Sequence, residues 1–364
     1  MNGDARMRNR RSFLREAMLA AAGLAVLPRI SLRAADKTGA RPPITGSGEH
    51  TYECLHDWLQ PPEGLLWGET HALCEDEEGN LYVGHTVHKD SRRGEAIVAY
   101  DAQGRFIRAF GSEFRGGAHG LALHREPEGV FLYHSDILHC TTAKLTLGGE
   151  LVWKRGYPRE DREYGARPIA YRPTNIAFSP GGDYFVADGY GSSHVLRYAA
   201  DGRFLGEVGR RLEGKSGRDA PDGALSTPHS LWVDLRGAAP VLAVADRSNH
   251  RIQAFGMDGA HRLTVKDRRL RLPCHCHTRG DWMVCPDLDS QVCILDRDYR
   301  IVAQLGDGKP HNGAFGSRRT QSRAQFTPGE FIHPHDAIFL GNGDILVSEW
   351  LPIGRITRLR RVSG

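Results

Sequence analysis

The chain has 364 residues, 40% hydrophobic and 25% charged, a composition that excludes an unfolded chain and supplies a large core. Lys and Arg outnumber Asp and Glu by 48 to 44, giving a formal charge of +4, and the basic residues are scattered along the chain. That distribution argues against a nucleic-acid or membrane-surface protein.

The chain opens with Asn9-Arg10-Arg11-Ser12-Phe13-Leu14-Arg15, followed by an apolar stretch from Ala17 to Leu27 and the small residues Ala34 and Ala35. This is the layout of a twin-arginine export signal, and the apolar run is short for a bilayer span. Residues 1–35 are therefore read as a signal peptide and 36–50 as a linker, with the rest, 51–364, a single body delivered already folded to the periplasm or the exterior. No stable membrane span is expected in the mature form. Export permits disulfides. Of seven cysteines, Cys54 with Cys74 and Cys285 with Cys293 are conceivable pairs, buried thiols being the alternative.

From residue 71 onward the sequence repeats itself. A small turn, often with Pro or His, leads to an apolar strand, a Gly-containing turn and a second strand ending in a polar residue. His71 leads to Gly79–Gly84, His119 to Gly129–Tyr133, Pro173-Thr174 to Gly182–Asp188, Pro228-His229 to Val241–Asp246, Pro273-Cys274-His275 to Trp282–Val284, and Pro334-His335-Asp336 to Gly343–Glu349. Third strands follow at Ala96–Tyr100, His194–Tyr198, Arg251–Phe255 and Val292–Leu295, and fourth strands at Arg105–Phe110 and Arg203–Val208. Four short strands per repeat make a propeller blade, and six copies predict an all-β, six-bladed β-propeller whose blades stack to bury a continuous core. The segment Tyr52 to Trp58 is placed to close the ring against Arg355–Val362. Residues 209–227 and 306–330 read as long interblade loops.

The residue opening each first strand faces the channel, so His71, His119, Thr174, His229, Cys274 or His275, and His335 converge on one axis. A ring of neutral imidazoles suits a divalent ion, zinc above all; polar channel residues satisfied by water and carbonyls are the alternative. Asp336 offers an oxygen to a harder ion such as calcium, or to a local backbone amide. Tyr190, in Asp188-Gly189-Tyr190, sits on a Gly-flanked turn from which its phenol reaches the channel mouth as a base or packs in the hairpin. Asp246 to Arg251 reads as repeat structure with Arg251 partly exposed. Cys274-His275-Cys276-His277 has soft-metal residue types, but alternate residues of a strand face opposite ways.

At this level of detail the run Ala243 to Phe255 resembles the NHL repeat consensus. The succession of blades from about Tyr52 to Leu359 resembles the peptidyl-α-hydroxyglycine α-amidating lyase family and its bacterial relatives. The resemblance implies a zinc held by His119 in Ala-His-Gly-Leu, His229 in Pro-His-Ser-Leu and His335 in Pro-His-Asp. It implies a calcium at Asp336 with backbone carbonyls near His71 and Leu121, and a catalytic base at Tyr190. Where the family has an arginine after a histidine in blade one, this sequence has Thr86 after His85, with His88, Lys89, Arg92 and Arg93 further along.

The function expected is that of a monomeric, metal-dependent lyase acting on a small-molecule or peptide substrate. In the family chemistry zinc lowers the pKa of the substrate hydroxyl, a base removes its proton, and an amide and glyoxylate are released. The alternatives are a non-catalytic NHL propeller that binds a peptide, glycan or protein, and a propeller acting on a lactone or carbohydrate.

Overall fold

A computed structural model describes residues 41–159, 171–306 and 315–362. The segment read as an export signal lies outside them. Residues from 41 on form one unit, a six-bladed β-propeller in which each blade is an antiparallel sheet of at least four strands. Blade one runs Thr70–Glu75, Leu81–His85, Ile97–Tyr100 and Phe106–Phe110, and blade two Ala118–Glu126, Gly129–Asp136, Thr141–Thr146 and Leu151–Arg155. Blade three spans Asn175–Phe178 to Phe204–Val208, blade four Pro228–Asp234 to His261–Val265, and blade five His277–Arg279 to Ile301–Leu305. Blade six is made of Pro334–Phe339, Ile345–Glu349 and Arg355–Arg361.

The ring closes as the sequence predicts, with the boundary slightly earlier. His50–Leu55 pairs antiparallel with Arg355–Arg361, placing Tyr52 opposite Arg361 and Cys54 opposite Leu359. Its alternate residues His50, Tyr52 and Cys54 are buried, the period of a strand with one face on a core. Ile44–Ser47, within the stretch read as linker, adds a further strand outside it.

Burial grades outward through each blade. Second strands such as Leu81–His85 and Tyr184–Asp188 are buried along their whole length, whereas the fourth strand Phe106–Phe110 is largely exposed. The reason is stacking: inner strands are covered on both faces by neighbouring blades, so they read as continuous apolar runs. Fully buried side chains such as Val83, Phe185, Leu242 and Ile294 contribute about 1.5–3 kcal/mol each.

Two buried arginines tie the long loops to the ring. Arg251 Nε donates to Asp246 Oδ2 at 2.8 Å, and its other nitrogens donate to the carbonyls of Ala220 and Ala224 at 2.5 and 2.7 Å. Arg355 repeats the device in blade six, pairing with Glu349 and donating to the Glu330 carbonyl at 2.9 Å. Arg251 is thus fully buried, not partly exposed as the sequence suggested, because the 209–227 loop folds back over it. That loop also pairs Arg210–Arg211 with Ala224–Leu225 in parallel. Arg251→Ala is expected to cost about 3–5 kcal/mol in urea unfolding, since it leaves Asp246 buried without its cation.

All seven cysteines are free thiols, so neither conceivable disulfide forms. Cys285 and Cys293 stand opposite each other on neighbouring strands. Among the described residues no helix is long and apolar enough to cross a membrane.

Candidate functional site

The channel histidines are placed by a local irregularity that four blades share. Pairing between the first and second strands slips at Thr70/Ala72, Ala118/Gly120, Pro228/Ser230 and Pro334/Asp336. In each case the skipped residue is the histidine: His71, His119, His229 or His335. A β-bulge leaves its extra residue out of the ladder and re-aims its side chain, here toward the axis. Blade three, with Thr174 at this place, pairs regularly from Asn175.

Each of three imidazoles is then fixed by the next position around the ring. His119 Nδ1 donates to the Thr174 carbonyl at 2.8 Å, His229 Nδ1 to the Cys274 carbonyl at 2.8 Å, and His335 Nδ1 to the His71 carbonyl at 2.9 Å. With the proton on Nδ1, each Nε2 keeps a bare lone pair. His119 Nε2 is buried and has no hydrogen-bond partner. A side chain at Gly120 would put its Cβ 2.4 Å from the Thr174 carbonyl oxygen, so glycine is what lets blades two and three approach closely enough for the His119 bond.

The four rings form a rhombus. His119 and His335 lie 4.8 Å apart between centroids and span its short diagonal; His71 is 4.7 and 4.4 Å from them, and His229 is 4.9 and 4.7 Å. Ligand atoms of His71, His119 and His335 all lie within 4.8 Å of one another. Between the rings is a cavity of about 10 Å³ bordered also by Thr174, Cys274, His275 and Asp336, the size of a single ion or water. Burial holds His119, His229 and His335 well below the usual imidazole range and pushes His71 down to about 3, with the Arg247 charge as the second cause for His71. All four are therefore neutral, the form that binds metal.

Tyr190 stands beside the fourth corner. Its hydroxyl donates to His229 Nε2 at 3.0 Å and accepts from the Arg247 guanidinium at 3.1 Å, which lies 5.1 Å from the ring centroid. The turn requires Gly189, where a Cβ would meet the Pro228 carbonyl oxygen at 2.5 Å. Burial raises the phenol above its ordinary value while Arg247 pulls it back. Arg247 was hidden within the repeat-like run of blade four; only the fold shows that this turn faces the phenol.

Other predicted residues separate. Asp336 Oδ2 accepts the Leu73 amide at 2.9 Å, and Oδ1 lies 2.5 Å from His275 Nδ1, off hydrogen-bond geometry. The Cys274 to His277 run disperses: Cys274 Sγ faces Arg247, Cys276 joins the core with Cys285, and His277 packs on Trp232. Thr86 closes a loop, its Oγ1 accepting the Glu69 amide at 2.9 Å. Lys89 pairs with Asp90 in the open and Arg93 with Glu95. The guanidinium near blade one comes instead from the far loop. Arg319 pairs with Glu69, stacks 3.7 Å from the Trp350 ring centroid, and donates through Nε to the Trp350 carbonyl at 3.2 Å.

A second cavity, about 530 Å³, lies further along the inner strands, lined by Leu73, Leu123, Phe178, Trp232, Ile338 and Phe339 among others. It is mostly apolar and shares Asn175 and His275 with the border of the smaller cavity.

No protein-family model matches the chain. It is 25% identical over 337 residues to peptidyl-alpha-hydroxyglycine alpha-amidating lyase 1 of Drosophila melanogaster, covering 84% of this chain and 59% of that protein. It is 28% identical over 305 residues to the probable peptidyl-alpha-hydroxyglycine alpha-amidating lyase pgal-1 of Caenorhabditis elegans, covering 82% and 77%. The chain thus spans less than two thirds of the fly protein's length. Among solved structures, a streptogramin B lyase superposes with a TM-score of 0.54 at 15% identity, covering 87% of this chain and 98% of that one, which is a likeness of fold.

Proposed function

We propose that the chain is a metal-dependent lyase that cleaves the C–N bond of a peptidyl-α-hydroxyglycine or a related α-hydroxy amide. His119, His229 and His335 are the proposed metal ligands, with zinc the preferred ion, and Tyr190 is the base. The supporting observation is that three Nδ1 protons are committed to carbonyls one position on, leaving three unprotonated Nε2 atoms beside an ion-sized cavity, with that of His229 accepting the Tyr190 hydroxyl. Distant relatives named as amidating lyases agree with this reading. A divalent ion so held polarises a hydroxyl or carbonyl oxygen and lowers its pKa.

The protein's own groups supply the rest. Tyr190 Oη accepts the substrate hydroxyl proton, the C–N electron pair leaves with the amide nitrogen as the carbonyl of glyoxylate forms, and Tyr190 Oη returns the same proton to that nitrogen. Arg247 stabilises the phenolate through its bond to Oη. Thr86 replaces the expected arginine, yet the Arg247 charge acts on His71, His119 and His229, which makes its guanidinium the proposed partner for a substrate carboxylate. Asp336 Oδ1 is the oxygen proposed for calcium, and no step is assigned to that ion. We also propose export by the twin-arginine route and a monomeric mature chain. The function is tested by glyoxylate release from an α-hydroxyglycine peptide, expected to stop with chelator and return with zinc; no release from the metal-loaded protein contradicts it.

Arg247 gives this scheme a pH signature. Its charge opposes the upward shift of the Tyr190 phenol, so Arg247→Gln lets the phenol rise further. The acid limb of kcat/KM, where the base becomes protonated, is expected to move to higher pH, with a loss at neutral pH of about 10–100-fold. An unmoved limb in the pH–rate profile removes Tyr190 from the role of base.

A further inference from the structure

We propose that the larger cavity, about 530 Å³, is a second binding site that takes an uncharged aromatic carbonyl compound, its rings against Trp232 and Phe178 and its oxygen accepting from His277 Nε2. The site does not depend on the metal reading above. The void follows from the repeat itself. Ala122, Ala177, Trp232 and His277 stand at one level of the channel, each paired with the residue three before the aspartate that ends its blade's second strand. Blades two and three thus offer methyl groups where blades four and five offer rings, and the difference in volume is left unfilled. All six blades contribute to the lining, and one lining residue, Leu235, is 61% exposed, so the cavity opens to solvent. Small-molecule sites have volumes of about 300–1,000 Å³, apolar walls and a few placed polar groups.

The placed polar group is an imidazole. Trp232 Nε1 donates to Thr278 Oγ1 at 2.8 Å, which fixes the indole, and the His277 ring packs on it at 4.5 Å between centroids. His277 Nδ1 accepts the Phe339 amide at 3.2 Å, so the ring proton stands on Nε2. Among the described residues no acceptor meets that N–H. Burial pushes the ring down to about 3, which leaves it neutral with this single donor. An N–H without an acceptor in an apolar cavity is costly, and a ligand oxygen relieves the cost.

The mouth selects against charge. Glu75 Oε2 accepts the Gly341 amide at 2.7 Å, while Arg279 donates to the Gly341 carbonyl at 3.0 Å and lies 4.0 Å from the same carboxylate. An ionic ligand would gain from one of these groups what it loses to the other. The walls select for rings: Phe178 stacks on His124 at 4.0 Å with the planes 7° apart, and Phe339 lies 6.4 Å from His277. Offset and edge-on contacts with such walls favour an aromatic body over an aliphatic one.

The test uses benzophenone as the probe and diphenylmethane, the same two rings without the oxygen, as its control, each titrated calorimetrically into the mature chain. Saturable binding of both is expected, with diphenylmethane weaker by about 3–10-fold for the missing hydrogen bond. His277→Phe is expected to weaken benzophenone by about the same factor and to leave diphenylmethane unchanged. Irradiating the benzophenone complex is expected to label peptides that carry Trp232 or Phe339. Ala122→Trp fills the void and is expected to abolish binding of both probes with the melting temperature retained; should that variant not fold, the labelling and His277→Phe decide. No saturable binding to the wild type, equal affinity for the two probes, or labelling confined to peptides outside the cavity overturns the proposal. None of these outcomes bears on glyoxylate release, which tests the lyase reading separately.

Discussion

His119→Ala is expected to strip the channel of its metal and to abolish lyase turnover. His119 and His335 form the shared edge of both three-histidine triangles in the ring, so either choice of third ligand fails without His119. Its Nε2 is also a buried nitrogen with no hydrogen-bond partner. Removing it relieves that atom but leaves the Thr174 carbonyl without its donor, a cost of about 1–3 kcal/mol that the fold is expected to survive. Elemental analysis of protein purified without chelator is the measurement: about one equivalent in the wild type against essentially none in the variant, with an unchanged circular dichroism spectrum. Retention of the metal by His119→Ala places the ion elsewhere.

Tyr190→Phe is expected to act in the opposite way, sparing the metal and removing the chemistry. The phenol oxygen bonds to His229 Nε2 and Arg247, so phenylalanine keeps the ring contacts with His119 and His229 and deletes the hydroxyl alone. A positioned general base contributes about 10²–10⁴-fold, and kcat for glyoxylate release is expected to fall by that much with KM little changed. With the Tyr190 hydroxyl gone, His229 Nε2 has one competitor fewer, so metal affinity is expected to hold or rise. A fall confined to KM makes Tyr190 a binding residue instead.

Much of this site is readable from the chain because a propeller repeats its geometry. Once six copies of the turn and strand pattern are aligned, His119, His229 and His335 occupy equivalent places and must meet at the axis; the closing strand follows from a leftover apolar segment before the first copy. What the repeat cannot show is how the side chains are aimed. The bulges at His71, His119, His229 and His335 are departures from pairing that no residue type announces, and the carbonyl that fixes each Nδ1 belongs to another blade. Arg247 looks like the neighbouring repeat residue Arg251, yet one faces the phenol and the other is sealed under the 209–227 loop. Glu69 and Arg319 are 250 positions apart and meet only in the folded chain. The Cys274 to His277 run shows the converse: four metal-binding residue types adjacent in sequence point to different neighbours, because only His277 belongs to a strand and the three residues before it follow an irregular path.

The central claim is that a metal ion sits between these imidazoles. An anomalous difference map collected at the zinc edge, from crystals of the mature protein purified without chelator, tests it most directly. The account predicts one strong peak about 2.0–2.1 Å from the Nε2 atoms of His119, His229 and His335, and a channel free of any anomalous peak contradicts it.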